Sequence, residues 1–443
     1  MDSSDLPQMS VQPRPPGSTI PLTPLQLRLW NGTNRGARLS SLKLAATSLH
    51  IRGPLDVGLL EQSIEGVAYR HESLRTEIVL VDGIARQRIK NNFRLSLRTL
   101  NLTTTSPQAG KAEVIRLGQS FIKEDGDTSD GSMFEAQLYR FSDADHVLII
   151  AVNHIVSDAV SCAILGREVW QLYDRAVLPS LPLQFPDYAI WQQRIDDAWN
   201  ERDAPYWRNR MIGAPYTLVP RDRSLEDQRN SVNTLHFPFG AALTMRLRAI
   251  AEREQIRLPL LVLAAYVLTV SRWIGQSELV VVFLSHGRHL HPGLKYMIGL
   301  LSNLLHLRVE VDEQEPFFDL VRRLKSELDA ANEHFDYGRF WSVVPDFRTE
   351  FSFNWLTIDR TQASARNASS NDQLSVQPLP LKIAWPVIFE VYCSDTPSGI
   401  CAAIAYQTGM FLESTVRRFG ERLRALTERC SLTPFDSISS LHW

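Results

Sequence analysis

The stretch from Asp145 to Tyr173 constrains this chain more than any other. Its apolar residues run almost unbroken from Val147 to Val152, the pattern of a strand covered on both faces. Asn153, His154, Ile155, Val156, Ser157 and Asp158 follow, and then Leu165, Val169 and Leu172 recur at helical spacing. A buried strand, a short turn and a helix are therefore predicted. The turn throws a histidine and an aspartate, four residues apart, off the end of a core strand. Such a pair can form a reaction centre, or it can cap the turn and satisfy its backbone. The local residues leave both readings open.

At 443 residues the chain exceeds the usual size of one hydrophobic core, so two domains are expected. A net charge of −2 shows no basic signature, and neither nucleic acid nor an anionic membrane is an expected partner. Cys162, Cys393, Cys401 and Cys430 are far apart and match no metal-ligand spacing, so reduced and inert thiols are expected. The first residues are polar and proline-rich rather than a signal peptide. The longest apolar run, around Leu258 to Val270, is too short and interrupted to span a bilayer. The expectation is a soluble, cytoplasmic protein, in which the Asn-x-Ser/Thr triplets at Asn31, Asn101 and Asn367 carry no weight.

Residues 1–20, with five prolines or glycines among few core formers, read as a disordered tail. From residue 21 to 178 the pattern alternates strands and helices. Strands are predicted at Leu42–Ile51, Glu77–Val81, Ile84–Ile89, Met133–Arg140 and His146–Val152, with Asp82-Gly83 as a hairpin turn. The proline-bearing stretch Ala176–Pro186 is the candidate boundary, and residues 179–443 form the second domain. A helix is expected over Asp187–Trp207. Pro259 suits the first turn of a strongly apolar helix that ends at Gly275. Further strands are expected at Glu278–Leu284, Leu305–Val311, Phe351–Leu356, Ile388–Cys393 and Ile400–Tyr406, and helices from Pro316 and Glu413. Thr361–Asp372 reads as a long Ser/Asn/Gln-rich loop.

Several separated segments then match one family in order. The chain resembles the condensation domains of nonribosomal peptide synthetases. PLTPLQLRLW is similar to their first motif, RHESLRTEI to their second, and NHIVSDAVS to their active-site motif, His-His-x-x-x-Asp-Gly-x-Ser. FPDYAIW resembles the fourth and MIGLLSNLLHLRV the fifth, while FSFNW, AYQTGMF and the closing helix sit where the family places its last segments. The resemblance covers nearly all of the chain beyond residue 20.

The resemblance implies an α/β fold of two chloramphenicol-acetyltransferase-like lobes, a V-shaped pseudo-dimer with a central tunnel. It implies acyl transfer from a carrier-protein phosphopantetheine thioester to an amine or hydroxyl acceptor, with no tightly bound cofactor. Expected partners are an acyl or peptidyl carrier protein in trans and a small-molecule or carrier-bound acceptor, and a monomer is expected. His154 matches the second, catalytic-type histidine. A neutral imidazole removes a proton near pH 7, an effect of roughly 10²–10⁴-fold on rate. Asp158 matches an aspartate that is structural in the family, and Arg288 is its candidate salt-bridge partner. Asn303 matches the family asparagine, whose amide N–H can meet an oxyanion or orient the acceptor; a strand-end cap is the other reading. Arg70, His71, Glu72 and Arg75 match a mostly structural motif. His286, His289 and His291 are expected in a tunnel-lining loop rather than at a metal.

Asn153 replaces the first histidine of the motif, Ala159 its glycine, and Leu304 the threonine after the family asparagine. Together with the lack of adenylation and carrier domains in the sequence, these departures suggest a freestanding member with an unusual acceptor. Two alternatives stay open. One is a catalytically inactive condensation-like module that recruits carriers or tailoring enzymes. The other is a coenzyme A-dependent acyltransferase, although the Asp-Phe-Gly-Trp-Gly motif of such relatives is absent.

Overall fold

The computed structural model describes residues 11–32, 43–95, 97–102, 107–123, 133–223, 232–356, 374–379, 387–396 and 398–441. The chain divides into two units, each assembled from three segments. The first takes Met1–Asp197, His286–Ser302 and Arg360–Ile383; the second takes Ala198–Ser285, Asn303–Asp359 and Ala384–Trp443.

In the first unit the chain runs through β1 (Ile20–Pro21), α1 (Pro24–Gly32), β2 (Lys43–Arg52), α2 (Val57–Arg70), β3 (Thr76–Val81), β4 (Ile84–Ile89), β5 (Arg98–Asn101), α3 (Pro107–Lys123), β6 (Phe134–Ser142), β7 (Asp145–Asn153), α4 (Ala159–Tyr173) and α5 (Phe185–Arg194). In the second it runs through α6 (Asp196–Met211), β8 (Val232–His236), α7 (Ala241–Arg253), α8 (Leu258–Ile274), β9 (Glu278–Ser285), β10 (Asn303–Glu310), α9 (Phe317–Glu333), α10 (Phe340–Val343) and β11 (Phe351–Leu356). The chain returns to the first unit for β12 (Ser375–Pro378), then ends in the second with β13 (Phe389–Thr396), β14 (Gly399–Gln407) and α11 (Glu413–Leu432).

The first unit holds a five-stranded sheet of order β12-β2-β7-β6-β5 and a three-stranded sheet of order β1-β4-β3. The strand β7 sits centrally, antiparallel to both β2 and β6. On one face Val147, Ile149 and Ala151 pack with Val114 and Phe121 of α3; the alternate residues Leu148, Ile150 and Val152 are just as buried. Burial on both faces is the reason for the unbroken apolar run. At the predicted hairpin, Asp82 and Gly83 both adopt positive φ, 52° and 75°, as a two-residue turn between right-twisted strands requires.

The second unit holds one six-stranded sheet, β10-β9-β11-β13-β14-β8. The helix α8 is buried continuously from Leu260 to Ser271 and stops at Gly275, whose φ of 69° lets the chain leave in the left-handed conformation. Rings from α8 and α11 cover one face of the sheet: Tyr266 meets Phe353 at 5.4 Å, and Phe419 meets Phe389 at 5.0 Å. Among the described residues no single helix is long and apolar enough to cross a membrane.

Three sequence expectations need correcting. Residues 11–20 are ordered: Val11 is buried among Leu183, Phe185, Tyr188, Leu294 and Met297, and Arg14 forms salt bridges of 2.8 Å to Glu72 and 2.9 Å to Asp187. A proline-rich segment makes few hydrogen bonds of its own, but its side chains find partners supplied by α5 and the loop before it. The division into units is not a single cut after residue 178, because the first unit continues to Asp197 and takes back two later segments. The helix expected over Asp187–Trp207 is two helices, α5 and α6, broken at Ile195. The expected loop Thr361–Asp372 and residues 1–10 of the expected tail lie outside the described residues.

Candidate active site

The strand β7 ends at Asn153, and the backbone turns through a single 3₁₀ turn, His154–Val156, before α4 begins. Asn153, standing where the family motif has a histidine, caps that turn. Its Oδ1 accepts from Ile155 N at 3.0 Å, and its carbonyl accepts from Ser157 Oγ at 2.9 Å. A short side chain with one acceptor and one donor group suits this local role.

His154 is half-buried, and its Nδ1 lies 2.7 Å from the carbonyl oxygen of Ser157. A carbonyl only accepts, so Nδ1 carries the proton and Nε2 the lone pair. Burial lowers the affinity of the ring for a second proton below the ordinary value of 6.5, against the opposing pull of the Ser157 carbonyl and Asp158. The imidazole is therefore neutral at pH 7 with a defined tautomer. Gln26, fully buried on α1, supports the turn from outside: its Nε2 donates to Ile155 O at 2.8 Å. Gln26 is itself held by a reciprocal cap with Thr23, at 2.9 and 3.2 Å.

Asp158 faces the other way. It is the N-cap of α4, accepting from Ser161 N at 2.8 Å, and it is 1% exposed. Arg288 donates to both carboxylate oxygens, at 2.8 and 3.0 Å, and Leu301 N and Ser302 N each donate to Oδ2 at 3.1 Å. Ser161 Oγ lies 2.8 Å from both Asp158 Oδ1 and Gly299 O and donates to one or the other, while accepting from Arg288 and Gly299 N at 3.0 Å. Burial alone would raise the Asp158 carboxyl; the Arg288 guanidinium and these donors outweigh it and bring the group to about 2. Asp158 thus stays ionised as the anchor that holds residues 286–302 to the His154 turn. Ala159 opens α4 with an ordinary negative φ, so this position makes no demand for glycine.

Two glycines make the anchor possible. Gly287 has φ +66°, and a Cβ there would stand 2.2 Å from Leu301 O; a Cβ on Gly299 would stand 2.2 Å from a ring carbon of Phe185. Beside them, His71 Nε2 and Arg70 Nε share Glu168 at 2.8 and 3.0 Å, and Ser73 Oγ donates to Ile298 O at 2.8 Å. The second motif therefore braces the same loop.

Asn303 begins β10 in the second unit and is 2% exposed. Its Oδ1 accepts from Gly338 N at 2.9 Å, and its Nδ2 is buried with no hydrogen-bond partner among the described residues. The cap reading and the donor reading of Asn303 thus coexist: the oxygen closes a turn, and the amide N–H₂ is left to donate. Of the residues singled out by sequence, His154, Asn153, Asp158, Ala159 and Arg288 come together in the first unit, and Asn303 belongs to the second. His291 Nδ1 accepts from Gly293 N at 3.0 Å, and among the described residues no cluster of His, Cys, Asp or Glu is placed to hold a metal ion. Sequence reasoning missed Gln26, Ser161 as a long-range bridge, and Ser302. A buried glutamine inside an apolar helix face was the available signal for the first.

Comparison with known proteins gives the family and the fold. The family model described as Condensation domain matches residues 17–443. Surfactin synthase subunit 1 of Bacillus subtilis (strain 168) is 30% identical over 402 residues, which cover 88% of this chain and 11% of the synthase. The chain thus spans about a tenth of that relative's length. The X-domain from teicoplanin biosynthesis superposes with a TM-score of 0.82 at 22% identity, covering 98% of this chain and 100% of that one. The same X-domain has also been solved in complex with OxyB, with a TM-score of 0.82 at 22% identity and coverage of 98% of both chains.

Proposed function

The chain belongs to the condensation-domain family, of the nonribosomal peptide synthetase type, and we propose that it transfers an acyl group from a carrier-protein phosphopantetheine thioester to an amine or hydroxyl acceptor. The observation that carries this reading is His154: a neutral imidazole whose Nδ1–H is tied to Ser157 O, which leaves Nε2 as the base. The acceptor N–H or O–H attacks the thioester carbonyl carbon and passes its proton to Nε2. The tetrahedral intermediate then collapses, the C–S bond breaks, and the imidazolium returns the proton to the departing thiolate. Atoms and charge balance without a cofactor. Asn303 keeps a buried Nδ2 donor with no hydrogen-bond partner among the described residues, and a donor of that kind is worth about 2–4 kcal/mol when it meets an oxyanion.

Incubating an acyl-loaded carrier with candidate acceptors, and following the carrier by mass spectrometry, tests the reading. His154→Ala is expected to slow product formation by about 10²–10⁴-fold. Equal product from the variant removes His154 from the mechanism. Running the same acceptors with acyl-coenzyme A separates carrier-borne from soluble donors.

A second reading is favoured by Asn153, which departs from the paired histidine, and by the X-domain solved with OxyB. In it the chain recruits a carrier or a tailoring enzyme without turnover. Carrier binding with no loss of acyl group from any loaded carrier would support that reading against the first.

A further inference from the structure

Packing alone does not call for a glutamine at a fully buried position, because an apolar side chain fills the same space with no polar atoms to satisfy. Gln26 stands at such a position on α1, and both ends of its amide are used. Its Oε1 accepts from Thr23 N at 2.9 Å. Its Nε2 donates to Ile155 O at 2.8 Å and to Gln87 Oε1 at 3.3 Å. Gln87, 4% exposed on β4, donates in turn through Nε2 to Pro21 O at 2.7 Å. Ile20 is in register with Gln87 and Pro21 with Arg86, so β1 and β4 carry this end of the chain of amides. It starts on the three-stranded sheet and ends on the turn that presents His154.

Inside that turn, Asn153 O accepts from Ser157 Oγ, His154 O from Ser157 N and Ser157 O from His154 Nδ1. Ile155 O is met from outside, by Gln26. Ile155 and Val156 are fully buried, so this carbonyl has no bulk solvent to turn to.

We propose that Gln26, mounted on Gln87 and β1, is the residue that aims the lone pair of His154. By fixing the peptide between Ile155 and Val156 it holds Ser157 O against Nδ1, and so keeps the imidazole in the Nδ1–H form. Without the Gln26 donor, a buried carbonyl is left unsatisfied, which is costly enough to rotate the peptide. Rotation there carries Ser157 with it. Once Ser157 O withdraws, Nδ1 loses the acceptor that keeps its proton, and the Nε2–H form becomes populated. That form has no lone pair at Nε2 to take a proton. Gln26 acts through His154 and is a positioning residue. Its part in catalysis rests on the transfer reading; its hold on the ring does not.

Heteronuclear NMR of histidine labelled at its ring nitrogens tests the hold, since long-range correlations show which nitrogen carries the proton. The His154 signals are those that vanish in His154→Ala. The wild type is expected to show the Nδ1–H form at pH 8, and the Nε2–H form there overturns the proposal. Gln26→Met keeps the length of the side chain without its amide and is expected to show both tautomers. Thr23→Val removes the hydroxyl cap of α1 but leaves the Gln26 amide on Ile155 O, and is expected to keep the wild-type signals. Unchanged signals in Gln26→Met, or an equal mixture in Thr23→Val, overturn the positioning role. Should Gln26→Met fail to fold, Gln87→Met takes its place; loss of the mount is expected to admit the Nε2–H form, and a pure Nδ1–H form overturns the proposal. In the transfer assay Gln26→Met is expected to lower kcat about 10- to 100-fold at unchanged KM. An unchanged kcat beside mixed tautomers overturns its part in the transfer. If His154→Ala transfers as well as the wild type, the transfer reading fails, and the tautomers still decide whether Gln26 holds the ring.

Discussion

His154 and Asp158 are four residues apart and do opposite things, because their side chains meet different surroundings. The imidazole has one backbone acceptor and a desolvating environment, so in the proposed transfer it is the base; the carboxylate has an arginine and three backbone N–H donors, so it is an anchor. The rate of transfer is therefore expected to fall as pH drops through a value below 6.5, since burial lowers the histidine; a pH profile of kcat/KM measures this. Asp158 predicts a stability effect of definite sign. Its folded-state value of about 2 lies below that of an unfolded aspartate, about 3.9, so its contribution is present above pH 4 and is lost as pH falls toward 2. The size is about 2–3 kcal/mol. Urea unfolding at pH 5 and pH 3 should show a steeper loss in the wild type than in Asp158→Asn. Arg288→Ala strands the buried carboxylate and should cost about 3–5 kcal/mol by the same measurement.

At the scale of elements, the turn after β7 is set by what leans on it. The helix α1 contributes Gln26, the loop between β9 and β10 contributes Arg288, Leu301 and Ser302, and α5 presents Phe185 to Gly299. Gly299→Ala is expected to destabilise by about 1–3 kcal/mol, because the new methyl would overlap the Phe185 ring, and Phe185→Leu should recover part of the loss. A thermal or urea double-mutant cycle reads the coupling. Most of these elements were legible. The periodicity placed β7, α8 and β11, because burial along a strand or helix repeats with the local geometry of the backbone. The break at Ile195 and the short strands β5 and β12 were not, since tertiary neighbours decide where so weak an element stops or pairs. The ordered segment at Val11 and Arg14 escaped for the same reason: its partners, Glu72 and Asp187, are supplied by the fold.

At the scale of the molecule, the first unit is completed by two segments that arrive after the chain has entered the second. Residues 286–302 close the Asp158 site, and β12 extends the sheet beside β2. A fragment ending at Asp197 lacks Arg288, Leu301, Ser302 and β12, and leaves a buried carboxylate with only its own cap. Expressed alone, residues 1–197 are expected to lack a cooperative melting transition, while the full chain melts cooperatively; calorimetry distinguishes the two.

What the sequence determined by itself is the set of elements and the turn at which the proposed reaction is placed. Apolar period, turn residues and collinear motifs are local properties of the chain, and they suffice to point at His154, Asp158, Arg288 and Asn303. Tertiary structure decided the roles. Asp158 and Arg288 are 130 positions apart. Hydrogen bonds and desolvation act over a few ångströms whatever the distance along the chain. Which carboxylate is neutralised and which amide is left with an unused donor therefore became visible only once the backbone had brought those groups together.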